Sequence, residues 1–277
     1  MIDKIVKCLK LAGAAAEIQR IQTAHRLKLI DFWEIAKGAN ILEIGCGQGD
    51  TTAALAYTVG KEGFVHGVDI APENYGLPMT LGEARQLLLH SEIGSNIRMD
   101  LDFDILTDTI TFKNDRFDYI VLSQCSWYFS SYEELVAILK RVRPWGKRLC
   151  FAEWSTNVTL PEQLAHYNAI MIQALCESYK TISASNVRTL FTRNDIKKAM
   201  SEADWTITKA TEIYSSDLQD GLWEVTMTRS LYPKEIENIA EMPQKMKALL
   251  LSQIDELNVA NENGGIKPLS AFVVLAE

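Results

Sequence analysis

Apolar positions along the chain recur with two rhythms. Residues 2–36 follow a helical spacing, and Gly38 stands where such a helix would stop. Beyond it, short runs of strand length alternate with longer helical segments. NILEIG, GFVHGVDI, NIRMDLDF, RFDYIVLSQ and GKRLCFAEWS read as strands; DTTAALAYTVG, LGEARQLLLHSEIG and YEELVAILKRVRP read as the helices between them. Alternation at this spacing predicts a parallel α/β sheet covered on both faces. Past residue 155 the rhythm changes to helical segments over about 160–180 and 193–203, a strand in WTITKATEIY, a long helical stretch over about 217–258, and a last strand in LSAFVVLAE. No repeat, low-complexity tract or Pro/Ser-rich linker interrupts the chain, so residues 1–277 read as one domain with helical insertions.

The link between the first strand and the first following helix is ANILEIGCGQGDTTAALA, residues 39–56, with glycines at 45, 47 and 49. Glycine allows a sharp turn and lets a ligand approach without meeting a Cβ. The turn enters a helix N-terminus, whose free N–H groups point outward. It also lies at the carboxyl end of a strand, where open α/β sheets bind ligands. The dinucleotide fingerprint G-x-G-x-x-G needs its third glycine at position 50, which is Asp50 here. With Glu43 before the loop and Asp50 after it, a pyrophosphate would be repelled and a nucleoside with a cationic end favoured.

Composition narrows the partners. A net charge of −8 lacks the basic face that nucleic acid requires. The five cysteines include no C-x-x-C pair, which argues against a disulfide framework or zinc site and suits a reducing, cytoplasmic setting. The N-terminal stretch MIDKIVKCLKLAGAAAEIQR reads as an amphipathic helix pattern broken by charges rather than as a signal peptide, and no apolar run reaches the roughly 18–20 residues of a membrane span.

LEIGCGQG matches, at every defined position, the E/D-x-G-x-G-x-G first motif of the class I S-adenosylmethionine-dependent methyltransferases, and the chain resembles that family over about residues 39–154. RFDYIVLSQ is similar to the family's fourth strand, and RVRPWGKRL to its proline-glycine turn before the fifth. The resemblance implies a Rossmann-like, seven-stranded, mostly parallel sheet with one antiparallel strand, helices on both faces, and helical cover at 1–38, 155–204 and 217–260. It implies S-adenosyl-L-methionine as cofactor, which carries a sulfonium and an ammonium and no phosphate. Cofactor contacts are then expected from Glu43, Gly45, Cys46, Gly47 and Gly49 in the loop, and from Ser123 at the end of the fourth strand. Asp69, 20 residues after Gly49, is expected to hold the ribose hydroxyls, with Ile70 beside it. In MDLDFD, Asp102 or Asp104 is the expected partner of the adenine amino group.

Methyl transfer from a sulfonium is an in-line displacement in which positioning and exclusion of water can supply much of the acceleration, so no strong catalytic constellation is required. The segment SQCSWYF lacks the N/D-P-P-Y/F motif of base methyltransferases, and with the acidic charge this indicates a small organic substrate rather than DNA or RNA. Trp127, Tyr128 and Phe129 either wall a pocket for an apolar or cationic molecule or pack the next helix. If the acceptor needs deprotonation, Tyr128, Glu153 and His166 are the candidate groups. His25, His66 and His90 have no metal-ligand spacing, and no metal is expected. LWEVTMTRSLYP and EMPQKMKALLL fit core packing, a substrate lid or a homodimer interface alike. Two other readings compete: a lipid modification like that of cyclopropane fatty-acid synthases, for whose bicarbonate site Cys125, Glu153 and His166 supply suitable residue types in a poorly matching pattern, and a non-catalytic cofactor-binding subunit. A NAD-dependent oxidoreductase is disfavoured by Asp50.

Overall fold

A computed structural model describes the chain apart from residues 108, 114, 115, 182–184 and 264 and the side chains of 261–263. Seven strands form one sheet: β1 (Asn40–Ile44), β2 (Phe64–Val68), β3 (Ile97–Asp100), β4 (Phe117–Ser123), β5 (Gly146–Trp154), β6 (Ile207–Ile213) and β7 (Ala271–Ala276). Their order is β3-β2-β1-β4-β5-β7-β6. β1 through β5 pair in parallel, and β7 runs antiparallel to both of its neighbours. The order reverses between β1-β2-β3 and β4-β5, so the carboxyl ends of β1 and β4 border the crevice where such sheets take ligands.

The burial of each strand follows its place. β1, β4 and β7 lie inside the sheet and are buried along nearly their whole length, whereas β6 is an edge, and its Thr-Lys-Ala-Thr-Glu run is largely exposed. One face is covered by α1 (Ile2–Cys8), α2 (Gly13–Phe32) and α3 (Asp50–Val59), whose apolar side chains meet Ile41, Val65, Val121 and Val273. α4 (Leu81–Leu89) adds Leu88 to that core and starts with a capping box between Thr80 and Glu83. The other face is covered by α5 (Tyr132–Val142) and α7 (Arg193–Glu202), packed on Leu42, Ile120, Phe151 and Phe272. α6 (Leu164–Glu177), α8 (Asp220–Asn238) and α9 (Gln244–Asn263) build a separate apolar cluster above the sheet.

Two helical stretches of the sequence divide. The one over 2–36 breaks into α1 and α2, with Lys10 and Gly13 at φ +55° and +57° in the left-handed region. It ends at Phe32, because Trp33 turns inward to donate its indole N–H to the Val274 carbonyl at 3.0 Å and Glu34 takes φ +55°. The stretch over 217–258 divides into α8 and α9, Met242 sitting buried just before Pro243. A proline disfavours helical backbone at the residue before it, which sets the break there.

Candidate active site

The first glycine turn hangs from the end of β1. Gly45 sits at φ +72°, and a Cβ there would lie 2.6 Å from Cys125 Cβ, so a side chain at this position would push β4's extension away. Gly47, at φ +51°, has nothing within 4 Å of its Cβ position; that space is open. Gly49 serves differently. It caps α3 at φ +88°, and a Cβ on it would meet Leu88 at 2.8 Å and Met99 at 3.2 Å. Gly49 therefore packs α3 against α4 and β3 and does not border the cavity, contrary to its expected cofactor contact.

Between this turn and the ends of β2, β3 and β4 lies a cavity of about 610 Å³. Glu43, Gly45, Cys46, Gly47, Asp69, Ile70, Asp104 and Ser123 all line it. Asp69 ends β2 with Oδ2 accepting the Gly47 N–H at 2.8 Å and Oδ1 accepting the Ala71 N–H at 2.9 Å. One carboxylate thus ties the glycine turn to the β2 loop while keeping free lone pairs. Of the two acids after β3, Asp104 borders the cavity. Asp102, at φ +56°, is exposed outside it, its N–H held by the Ala71 carbonyl at 3.0 Å. The Ser123 hydroxyl is buried with no hydrogen-bond partner among the described residues.

The electrostatics of the turn differ from the sequence expectation. Glu43 is almost completely buried, accepts the Thr52 hydroxyl at 2.6 Å, and is pushed up to about 8 by burial. At neutral pH it is mostly uncharged. Asp50 is engaged by Gln19 Nε2 at 3.1 Å and by Arg26 at 3.5 Å. The two acids therefore do not form an open anionic patch, and Asp50 gives no ground for judging between nucleotides. Because Glu43's raised value penalises only its charged form, its contribution to stability is complete below about pH 4.5 and is lost as pH rises through about 8. Glu43→Gln is expected to remove part of the fall in Tm between pH 5 and 8, which thermal melts at several pH values would show; an unchanged slope would exclude Glu43 as a source.

Arg26 is the residue that sequence reading missed. It lines the cavity from α2, nearly buried, with Thr51, Gln22 and Asp50 at 3.2, 3.2 and 3.5 Å. These contacts engage three of its five N–H donors, so the guanidinium lining the cavity is not saturated. A signal was available: the inward face of α2 carries Gln19, Gln22, Thr23 and His25, all buried, which an ordinary core helix would fill with apolar residues.

Beyond β4, a 3-10 turn over Ser126–Tyr128 directs the aromatic residues apart. Tyr128 and Phe129 line the cavity; Trp127 turns away and packs on Trp154. Burial pushes the Tyr128 phenol up, so it stays protonated and is a donor rather than a base. Glu153 does not reach the cavity. Its Oε2 accepts the Ser126 N–H at 2.9 Å and hydroxyl at 2.7 Å, and its Oε1 accepts the Trp154 N–H at 2.9 Å, which fixes the turn that carries Tyr128. His166 is also behind the wall, fully buried, with Nδ1 accepting the Leu269 N–H at 2.9 Å. Burial lowers it to about 3, leaving a neutral ring whose proton sits on Nε2. Neither Glu153 nor His166 is placed to take a proton from a molecule in the cavity. For the same reason Cys125, Glu153 and His166 do not meet around one ion: Cys125 borders the cavity with its thiol donating to the Ile44 carbonyl, and the other two lie behind.

Among the described residues no helix is long and apolar enough to cross a membrane, and no three His, Cys, Asp or Glu side chains are grouped to hold a metal ion. The chain is 32% identical to the cyclopropane-fatty-acyl-phospholipid synthase-like protein of Lactobacillus casei, with a TM-score of 0.88 over 99% of this chain and 98% of that one. It is 26% identical over 231 residues to the methyltransferase phomM' of Diaporthe leptostromiformis, across 69% of this chain and 59% of that protein's length. The demethylmenaquinone methyltransferase of Bacillus mycoides is 25% identical over 151 residues, again spanning 59% of its own length and 54% of this chain. A family model described as a methyltransferase domain matches residues 35–211, which contain the glycine turn, Asp69 and strands β1 through β5. The chain belongs to this methyltransferase family, and its sheet has the seven-stranded, mostly parallel form of the class I S-adenosylmethionine-dependent members.

Proposed function

We propose that the protein transfers a methyl group from S-adenosylmethionine to a small organic molecule. The observation that carries this reading is the single cavity wall that joins Gly47's bare Cα, the Asp69 carboxylate and the Arg26 guanidinium. Asp69 suits a vicinal diol, and Arg26 suits the carboxylate of a methionine moiety. Asp104 and Ile70, from the loops after β3 and β2, line the same cavity, which supports seating an adenine between them. The cofactor supplies an electrophilic methyl on sulfur. The chain's part is to orient it with Arg26 and Asp69, to bring Tyr128 and Phe129 against the acceptor side, and to exclude water beneath the helical cover.

Arg26→Ala is expected to weaken S-adenosylhomocysteine binding by about 10- to 100-fold, the loss of a charge-assisted pair of about 1.5–3 kcal/mol. Calorimetric titration would measure it, and unchanged affinity would place the methionine end elsewhere. The reading as a whole is tested by titrating S-adenosylhomocysteine and then following labelled methyl into a metabolite pool. Tight binding with no labelled product from any pool would favour a non-catalytic subunit.

The likeness to the L. casei protein supports a second, lipid-directed reading. Against it stands the engagement of Glu153 and His166 with backbone groups away from the cavity, which leaves them unable to share an ion with Cys125. The acidic net charge and the absent base-methyltransferase motif support a substrate other than nucleic acid.

A further inference from the structure

Among the described residues the cavity is lined by two arginines, Arg26 and Arg188, and by no lysine. The methionine moiety of the proposed cofactor has one carboxylate to offer them. Arg26 stands at the glycine turn, in contact with Thr51 and Asp50 of the first turn of α3. Arg188 belongs to the segment between α6 and α7 and is tied to a different wall. The Trp127 carbonyl accepts the Arg188 N–H at 2.8 Å and the Thr189 N–H at 3.2 Å. Val187, fully buried, packs in one apolar cluster with Trp127, Trp154 and Ile170. The segment is thus seated on the 3-10 turn that carries Tyr128, and Arg188 lines the cavity together with Tyr128 and Phe129.

The Arg188 guanidinium is half-buried and largely unengaged. Its Nε donates to the Ser185 carbonyl at 3.2 Å, and among the described residues its two terminal nitrogens have no partner. The acids on the cavity wall do not supply one, because each is engaged elsewhere. Glu43 accepts from Thr52, Asp50 from Gln19 and Arg26, and Asp69 from the Gly47 and Ala71 N–H groups. Asp104 accepts the Leu106 N–H at 2.9 Å, and Glu134 accepts the N–H and hydroxyl of Ser130. Tyr128 adds a second donor to this wall, since burial keeps its phenol protonated and its hydroxyl has no partner among the described residues. A half-buried cation with no counter-charge is costly, and a ligand that brings one negative charge offsets that cost. The terminal nitrogens of a guanidinium match the two oxygens of a carboxylate. A phosphate would bring about 1.5 to 2 negative charges to a wall that already holds Asp69, Asp104 and Glu134, so a carboxylate suits it better.

We propose that the methyl acceptor is a small organic acid, its carboxylate seated on the Arg188 guanidinium and its body against Tyr128 and Phe129. This rests on the methyl-transfer reading above, with Arg26 taking the carboxylate of the cofactor. Arg188 is then the residue that selects an acid over a neutral molecule or an amine.

The test is a calorimetric titration of matched fragments into the protein saturated with S-adenosylhomocysteine. The fragments are 3-phenylpropionate, 3-phenylpropanamide, phenethylamine and phenyl phosphate, with butyrate and butyramide as the aliphatic pair. The acids are expected to bind at least ten-fold more tightly than the amides, the amine and the phosphate. Arg188→Gln should lose that preference while keeping its S-adenosylhomocysteine affinity, and Arg188→Lys, which keeps the charge without the fork, should retain part of it. No binding by any fragment, equal binding across the panel, a preference for another member, or an unchanged preference in Arg188→Gln would overturn the proposal. A ten-fold loss of S-adenosylhomocysteine affinity in Arg188→Gln would overturn it too, by placing the cofactor carboxylate on Arg188. If Arg188→Gln does not fold, the fragment ranking on the unsubstituted protein and on Arg188→Lys decides. Failure of the unsubstituted protein to bind S-adenosylhomocysteine counts against the methyl-transfer reading instead. The same fragments titrated into the cofactor-free protein, with and without Arg188→Gln, then judge the acid site.

Discussion

Gly47→Val should leave no measurable S-adenosylhomocysteine binding at concentrations that saturate the unsubstituted protein. The space beyond the Gly47 Cα is open and borders the cavity, so a branched side chain there fills the volume through which a ligand must approach the turn. The fold pays less than the site. With no atom within 4 Å of the Cβ position, the cost to folding is mainly that of holding a β-branched residue at φ +51°, about 1–3 kcal/mol. For a chain of this size a shift of that order lowers Tm by several degrees, about 2–4 °C per kcal/mol. Gly49→Ala provides the contrast. Its Cβ would press on Leu88 and Met99, so it should lower Tm while leaving the affinity of the folded fraction nearly unchanged. A Gly47→Val protein that still binds would mean that the ligand does not cross this turn.

Asp69→Ala is expected to weaken the same ligand by about 100-fold or more. Two effects combine. The carboxylate is the expected partner of the ribose diol, and each charge-assisted hydrogen bond is worth about 1.5–3 kcal/mol. It also accepts the Gly47 and Ala71 N–H groups, so its loss frees both loops that shape the cavity. Asp69→Asn, which keeps one acceptor oxygen, should fall between the two. Calorimetry on the three proteins tests the assignment, and equal affinities would refute it.

The positions of these two residues were legible in the sequence because they are set locally. A turn between a strand and a helix needs glycine at defined offsets, and an acid at the end of the next strand lies beside it in any parallel sheet. The same holds for the parallel core over 39–154, where each strand and helix carries its own hydrophobic rhythm. The choice between Asp102 and Asp104 was not legible, because two residues in one loop differ only in which way the backbone turns them. Asp102 takes a left-handed conformation outside the cavity and Asp104 lines it.

The remaining differences have one cause, packing between segments distant in sequence. Glu153 at the end of β5 and His166 on the next helix read as candidate proton acceptors, yet the Ser126 and Leu269 N–H groups, 27 and 103 residues away from them, engage Glu153 Oε2 and His166 Nδ1, and neither residue lines the cavity. Trp127 was open to two readings, pocket wall or packing, and it packs against Trp154 outside the cavity. Arg26 entered the site from a helix with no motif, brought there by α2 lying against α3. Sequence alone determined the sheet, the glycine turn and Asp69, since these depend on period and offset along the chain. Which acids are charged, which aromatics face the cavity and which helix brings in the cation were decided only by tertiary structure. Burial and partnership are properties of the neighbours a side chain acquires, and those neighbours come from the far ends of the chain.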